Sequence, residues 1–442
     1  MKPRDHNGAS HSNEDGMIVR CVVCSESLSD RTPLATCAKC GGMLTAEHEV
    51  PKRSGAELRA LFDSRLAGRV VRGQAAERSG VWRFHELVLP GGLPDAVSHP
   101  EGNTPLLERE AIARHAGVDA LWIKHEGHNP TGSFKDRGMT VAVTQARRVG
   151  ARAVACASTG NTSASLSAYA AHAGIPSFVL VPAGRVASGK LAQTLAYGAR
   201  MLHIDGDFDD CLRLTREASE QLGVYLVNSV NPFRIEGQKT IVFEMLQQLG
   251  WQAPDWIALP AGNLGNTAAF GKALREAHAF GLIDRMPRIL AVQAAGAAPF
   301  ARGFEGGFAE RVRVRAETAA TAIRIGDPAS WDRGVDAIRS TNGEVISVTD
   351  EEIFAAKRVI DEAGVGCEPA SAASVAGVRA LVARGVIRRD EQVVSVLTGH
   401  LLKDPDAVRI SHPESFESPR VLAPADVLGE LERVLAKPAL VG

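Results

Sequence analysis

From about residue 100 onward, short β-branched and apolar runs alternate with longer Ala-rich stretches of mixed polarity. The runs are ALWIKHE (120–126), RAVACA (152–157), SFVLVP (177–182), ARMLHID (199–205), VYLVNS (224–229), DWIALP (255–260), RILAVQA (288–294), EVISVT (344–349) and QVVSVLTG (392–399). Short, largely apolar runs are the signature of strands buried on both faces. Amphipathic stretches of helical period lie between most of them. The alternation predicts α/β architecture with largely parallel sheets.

The first hundred residues read differently. Residues 1–20 are polar and lack the apolar stretch of a secretory signal, so a disordered leader is expected there. Cys21, Cys24, Cys37 and Cys40 then form CVVC and CAKC. The chain has seven cysteines, and the odd total with this grouping argues against a disulfide framework. Two CxxC knuckles supply the four thiolates that tetrahedral zinc takes, which predicts a structural zinc ribbon over 21–48. Iron in the same cage, or four reduced thiols, are the alternatives. Cys156, Cys211 and Cys367 are scattered and read as small buried residues. Residues 49–100 suggest a helical connector, opening on AELRALFDSRLAG and closing on Pro90, Gly91, Gly92 and Pro94. A catalytic region is expected over 101–430, with a smaller α/β subdomain at roughly 145–230 inserted in a larger one.

Composition narrows the class. A chain of 442 residues suggests two or three domains. The net charge of −1 gives no broad field for nucleic acid or an anionic membrane. No apolar run approaches the roughly 20 residues of a membrane helix. The expected location is therefore cytoplasmic, with a small molecule as partner.

In open α/β sheets, ligands bind beyond the carboxyl ends of the strands. Three strand ends stand out. After RAVACA come Ser158, Thr159, Gly160, Asn161 and Thr162, a polar turn into an Ala-rich helix that suits an anionic ligand. After WIALP come Gly262, Asn263, Leu264, Gly265 and Asn266, a loop whose glycines let backbone N–H groups approach a phosphate. It is not the GxGxxG of dinucleotide sites. The third is Thr398, followed by Gly399 and His400. Gly184–Lys190 matches GxxxxGK, yet Leu191 follows where a P-loop needs Ser or Thr, so nucleotide hydrolysis is rejected.

Lys135 sits in HNPTGSFKDRGM, a turn that tips into a helix start. Burial and the positive end of a helix both disfavour an ammonium ion. A lysine so placed can lose its proton and attack a carbonyl. With a phosphate cradle and a polar crown nearby, the ligand that fits is pyridoxal phosphate, whose aldehyde forms a Schiff base with lysine.

Seven motifs together, EGNTPL (101–106), HNPTGSFKDRGM (128–139), ASTGNTSAS (157–165), VNPFRIEGQKT (230–240), PAGNLGN (260–266), EPASAAS (368–374) and LTGHLLKDP (397–405), resemble the threonine synthase family. That family consists of pyridoxal-phosphate lyases of the tryptophan-synthase-β-like fold, fold type II. The resemblance implies Lys135 as the Schiff-base lysine, with Phe134 beside the cofactor ring. Asn161 would bond the phenolic oxygen, 262–266 would hold the phosphate, and Thr398 would face the pyridine nitrogen. Ser158, Thr159, Thr162, Ser229 and Arg234 fall where the substrate's carboxylate or phosphate is bound. The implied reaction makes threonine and phosphate from O-phospho-L-homoserine and water, in a monomer or homodimer. Two positions depart from the pattern: Leu401 stands where glycine is usual, and His128 precedes Asn129. They leave open a cysteate-synthase-like enzyme or another phospho-amino-acid lyase; the alternative from another class is a catalytically silent regulatory paralogue.

Overall fold

The structure, a computed structural model, describes residues 16–33, 36–67, 75–184, 188–416 and 423–435. Most of the expected leader, residues 1–15, lies outside the described residues. The ribbon's first strand starts at Met17, ahead of the first cysteine. β1 (Met17–Cys21) pairs antiparallel with β2 (Ser27–Leu28) and β3 (Leu44–His48). The connector opens with α1 (Gly55–Ala67) and continues as short 3-10 turns. It is not a detached linker: Phe62, Trp82, Phe84 and Leu87 are buried in the main core with Phe243.

The larger sheet has six strands. In spatial order they are β12 (Glu344–Val348), β11 (Arg288–Ala294), β10 (Trp256–Pro260), β13 (Gln392–Leu397), β5 (Ala120–His125) and β4 (Leu106–Glu108). All neighbours run parallel except β4, which pairs antiparallel with β5. Side chains alternate across β10 as a strand's period of two requires. Ile257 and Leu259 pack with Phe243 and Phe270 on one face, while Trp256 and Ala258 pack with Val375 and Ala376 on the other. The covering helices are α2 (Glu110–Ala116), α8 (Thr240–Gln248), α9 (Gly265–Ala279), α10 (Pro299–Glu305), α11 (Trp331–Ser340), α12 (Asp350–Glu362) and α13 (Pro369–Ala383).

The smaller sheet is wholly parallel: β8 (Arg200–Ile204), β7 (Ser177–Pro182), β6 (Val154–Ala157) and β9 (Tyr225–Leu226). α4 (Asn161–Ala173), α5 (Ser188–Ala196) and α6 (Phe208–Leu222) accompany it. Of the expected strand VYLVNS only Tyr225 and Leu226 pair. The chain then turns at Asn228, whose amide bonds both backbone groups of Ala157 at 3.1 Å. The GxxxxGK stretch falls partly outside the described residues, with α5 beginning at Ser188.

α3 (Lys135–Arg148) lies between the two cores. Val141 joins the main cluster, while Met139, Ala142, Val143 and Ala146 join that of the smaller sheet. Every residue from Asp136 to Ala146 is buried, polar ones included, so the helix is packed on several sides. Its first residue is thereby fixed in the cleft between the two units. The short α7 (Pro232–Gln238) crosses α3.

Candidate active site

A cavity of about 1450 Å³ opens between the two sheets, at the carboxyl ends of β5, β6, β10 and β13. Lys135, Phe134, Ser158, Thr159, Asn161, Thr162, Ser229, Arg234, Gly262–Asn266 and Thr398 all line it. Leu401 and His128 do not. Leu401 packs toward Gly366, and the exposed His128 ring lies edge-on to His125 at 4.6 Å. The two departures from the family pattern therefore fall outside the cavity wall.

Two loops far apart in sequence are sewn together under Lys135. Phe134 N–H donates to Thr398 O at 3.0 Å, and His400 N–H donates to Gly132 O at 2.9 Å. Lys135 begins α3, so its side chain rises at the positive end of the helix. Its Nζ stands 3.9 Å from the Phe134 ring centroid and makes no hydrogen bond or ion pair among the described residues. Burial, reinforced by the nearby Arg234 guanidinium and opposed by Glu368, lowers its pKa to about 7. An amine so held is substantially neutral near physiological pH and works as a nucleophile or base.

Thr398 lies just past β13. Its Oγ1 is 3.1 Å from Ser371 Oγ, and it donates to Glu368 Oε1 at 3.4 Å. Asn161, at the start of α4, donates from Nδ2 to the other Glu368 oxygen at 3.1 Å. Glu368 thus bridges the two groups, and burial raises its pKa. Gly399 leaves room for it: a Cβ there would come within 2.5 Å of the carboxylate.

The loop after β10 turns at Leu264, a non-glycine residue with φ of +62°. Such strain gathers at ligand clamps. Ser229 Oγ accepts from Asn263 Nδ2 at 3.0 Å, tying this loop to the smaller unit's return strand. Arg234, on α7, is buried and donates from Nη1 to Val227 O at 3.1 Å. Its Nε has no partner among the described residues, and burial lowers its pKa to about 10.

Sequence reasoning gave no role to Glu368, Asn228, Gln238 or Lys403, all of which line the cavity. Lys403 donates to Thr131 O and to Gln193 on α5, joining the two units across the cleft. Glu368, Gln238 and Lys403 stand inside quoted motifs. Glu368 directly precedes Pro369 at a helix start, which was the available signal.

At the other end of the chain the four cysteine sulfurs converge. Cys21–Cys40 is 3.5 Å, Cys24–Cys37 3.7 Å and Cys24–Cys40 3.4 Å between sulfurs. Bonds of about 2.3 Å to a tetrahedral zinc ion put sulfurs roughly 3.8 Å apart. The donor set fits a closed metal centre.

Residues 97–399 match the pyridoxal-phosphate dependent enzyme family. Threonine synthase of Methanosarcina acetivorans is 46% identical over 392 residues, covering 88% of this chain and 93% of that protein. The chain belongs to the threonine synthase family. Threonine synthase of Synechocystis is 53% identical over 308 residues, covering 69% of this chain and 78% of that protein. The crystal structure of threonine synthase from Escherichia coli superposes with a TM-score of 0.69 over 91% of this chain and 93% of that one. At 19% identity this likeness shows the fold alone, fold type II.

The residues present fit the family's cofactor. Both amide atoms of Asn266 and the hydroxyl of Thr267 are buried at the cavity wall, at the N-terminus of α9, without partners among the described residues. Such groups are expensive to leave unpaired, and a phosphate supplies what the donors lack. A Cβ on Gly262 would stand 3.0 Å from the Ile323 Cα, so the loop already hugs its neighbour.

Proposed function

We propose that this chain converts O-phospho-L-homoserine and water to L-threonine and phosphate. The observation that carries the reading is the coexistence, in one cavity, of two anion-binding features. The unpartnered groups at the start of α9 suit the cofactor's phosphate, and the buried Arg234 is a separate cation that suits a second phosphate. A guanidinium fork matches phosphate geometry.

When bound, pyridoxal phosphate supplies an aldehyde that takes up the substrate amine and a ring that draws electrons from the adjoining carbon. The Gly262–Asn266 loop with Thr267 would hold its phosphate, Asn161 its phenolic oxygen and Thr398 its ring nitrogen. Lys135 would take a proton from the substrate Cα and then one from Cβ. Its lowered pKa lets it also return protons near neutrality. Arg234 holds the departing phosphate at Cγ. Ser158, Thr159, Thr162 and Ser229 offer hydroxyls to the substrate's carboxylate and phosphate. Water adds at Cβ, which accounts for the hydroxyl of threonine.

The four cysteines hold a structural zinc ion in this reading. Among the described residues no helix is long and apolar enough to cross a membrane. A panel of O-phosphohomoserine, phosphoserine and phosphothreonine, assayed for phosphate and amino-acid products, tests the proposal. Threonine from O-phosphohomoserine supports it. Turnover of phosphoserine alone, or of none, overturns it.

A further inference from the structure

A buried charge cluster lies outside the cavity, on the back of α7. Glu236 is fully buried; its carboxylate meets His48 Nε2 at 2.6 Å, Lys239 Nζ at 2.5 Å and Lys272 Nζ. Glu276 completes the cluster, 2.6 Å from Lys239 Nζ and 3.4 Å from Lys272 Nζ. His48, Glu236 and Glu276 are close enough to hold a metal ion. The two ammonium groups among them would repel a cation and already satisfy the carboxylates, so this is an ion-pair network.

His48 is the last residue of β3, and the same strand makes two further contacts. Ala46 O accepts from Lys272 Nζ on α9 at 2.6 Å, and Leu44 O accepts from Arg333 on α11. A single ribbon strand therefore grips the backs of three helices. Two of them face the cavity from their other side: α9 presents Asn266, and α7 presents Arg234 and Gln238. On α7, Glu236 and Arg234 are two residues apart, which places them on nearly opposite faces of a helix. Among the described residues Arg234 makes a single hydrogen bond to protein through its own side chain, to Val227 O. Its placement is thus set by the helix that bears it, and that helix is held from behind by His48.

We propose that the four-cysteine ribbon is a clamp that positions Arg234, with His48 as its positioning residue acting through Glu236. The ribbon's role in this protein is then to fix how tightly the substrate phosphate is held. Lys135 itself is borne by α3, a separate helix that packs against α7. The proposal rests on the reading of Arg234 as the phosphate-binding group.

The test compares His48→Ala, His48→Gln and Arg234→Ala holoenzymes. Glu236 keeps Lys239 and Lys272 in the alanine variant, so its carboxylate is not left unpaired, and thermal unfolding checks the fold. His48→Ala is expected to raise KM for O-phosphohomoserine and the calorimetric Kd for inorganic phosphate by about tenfold, with kcat and the cofactor Kd within about twofold. His48→Gln, whose amide still donates to Glu236, is expected to recover most of both. Unchanged KM and phosphate Kd in His48→Ala overturn the clamp, as does a parallel fall in kcat and cofactor affinity. If Arg234→Ala leaves the phosphate Kd unchanged, the underlying reading of Arg234 fails and the clamp with it. Weaker phosphate binding in Arg234→Ala beside a normal His48→Ala refutes the clamp alone.

Discussion

The lowered pKa of Lys135 should govern how fast the cofactor-free protein takes up pyridoxal phosphate. Only the neutral amine attacks the aldehyde. With a pKa of about 7, about half of the Lys135 amine is neutral at pH 7 and about a tenth at pH 6. An ordinary lysine, with a pKa of about 10.4, would be neutral in fewer than about one molecule in a thousand at pH 7. The site thus raises the reactive fraction roughly a thousandfold. Replacing Arg234 by Gln removes a positive charge that opposes protonation of Lys135, so the midpoint should move upward. Stopped-flow mixing of cofactor-free protein with pyridoxal phosphate, read near 410 nm over a range of about pH 5.5 to 9, follows the uptake. The rate should fall about tenfold per pH unit below the midpoint and level off above about pH 8. Borohydride trapping and peptide mapping should tag Lys135. A rate still rising steeply at pH 9, a downward shift in Arg234→Gln, or a tag on another residue would refute the reasoning.

Three other outcomes are expected. Thr398→Val keeps the shape of the side chain but loses the hydroxyl that contacts Ser371 and Glu368; cofactor affinity should weaken about fivefold to tenfold in absorbance titrations, as for loss of about 1 kcal/mol of hydrogen bonding. Gly399→Ala brings a methyl within 2.5 Å of the Glu368 carboxylate, so Glu368 must move and release Asn161; turnover should fall at least about tenfold, seen in steady-state rates, with Glu368→Asp partly relieving it. Metal analysis should find one zinc per chain in the native protein and none in Cys24→Ser, whose Tm should fall, because a closed metal centre contributes directly to folding.

Most of the sheet architecture could be read in the chain because its strands are buried on both faces. WIALP and RILAVQA carry unbroken apolar runs, and those runs are β10 and β11. β4 leaves little trace in the sequence: two half-buried leucines and the exposed Glu108 at a sheet edge carry too little periodicity. The ribbon strands were hidden for a related reason, since the cysteines rather than apolar alternation mark that unit. The run VYLVNS is longer than the strand it contains because Asn228 ends the pairing by bonding Ala157 through its side chain. At the site, loops with several unusual residues in succession attracted attention, and these line one cavity. Glu368, Gln238 and Lys403 are single polar residues whose importance lies in what faces them across space. Such meetings leave no mark in local spacing. The same holds for His48, paired with a glutamate 188 positions away.

The stitching of residues 132–134 to 398–400 has a consequence for biosynthesis. Lys135 leaves the ribosome long before its partner segment does, and domains generally fold as the chain emerges. Until Thr398 and His400 arrive, the loop bearing Lys135 lacks the backbone bonds that pin it. A nascent chain halted ahead of that segment should remain colourless in the presence of excess vitamin-derived aldehyde. Loading of the prosthetic group is thereby deferred until residues 398–400 have been made, and shorter nascent chains carry no half-built catalyst.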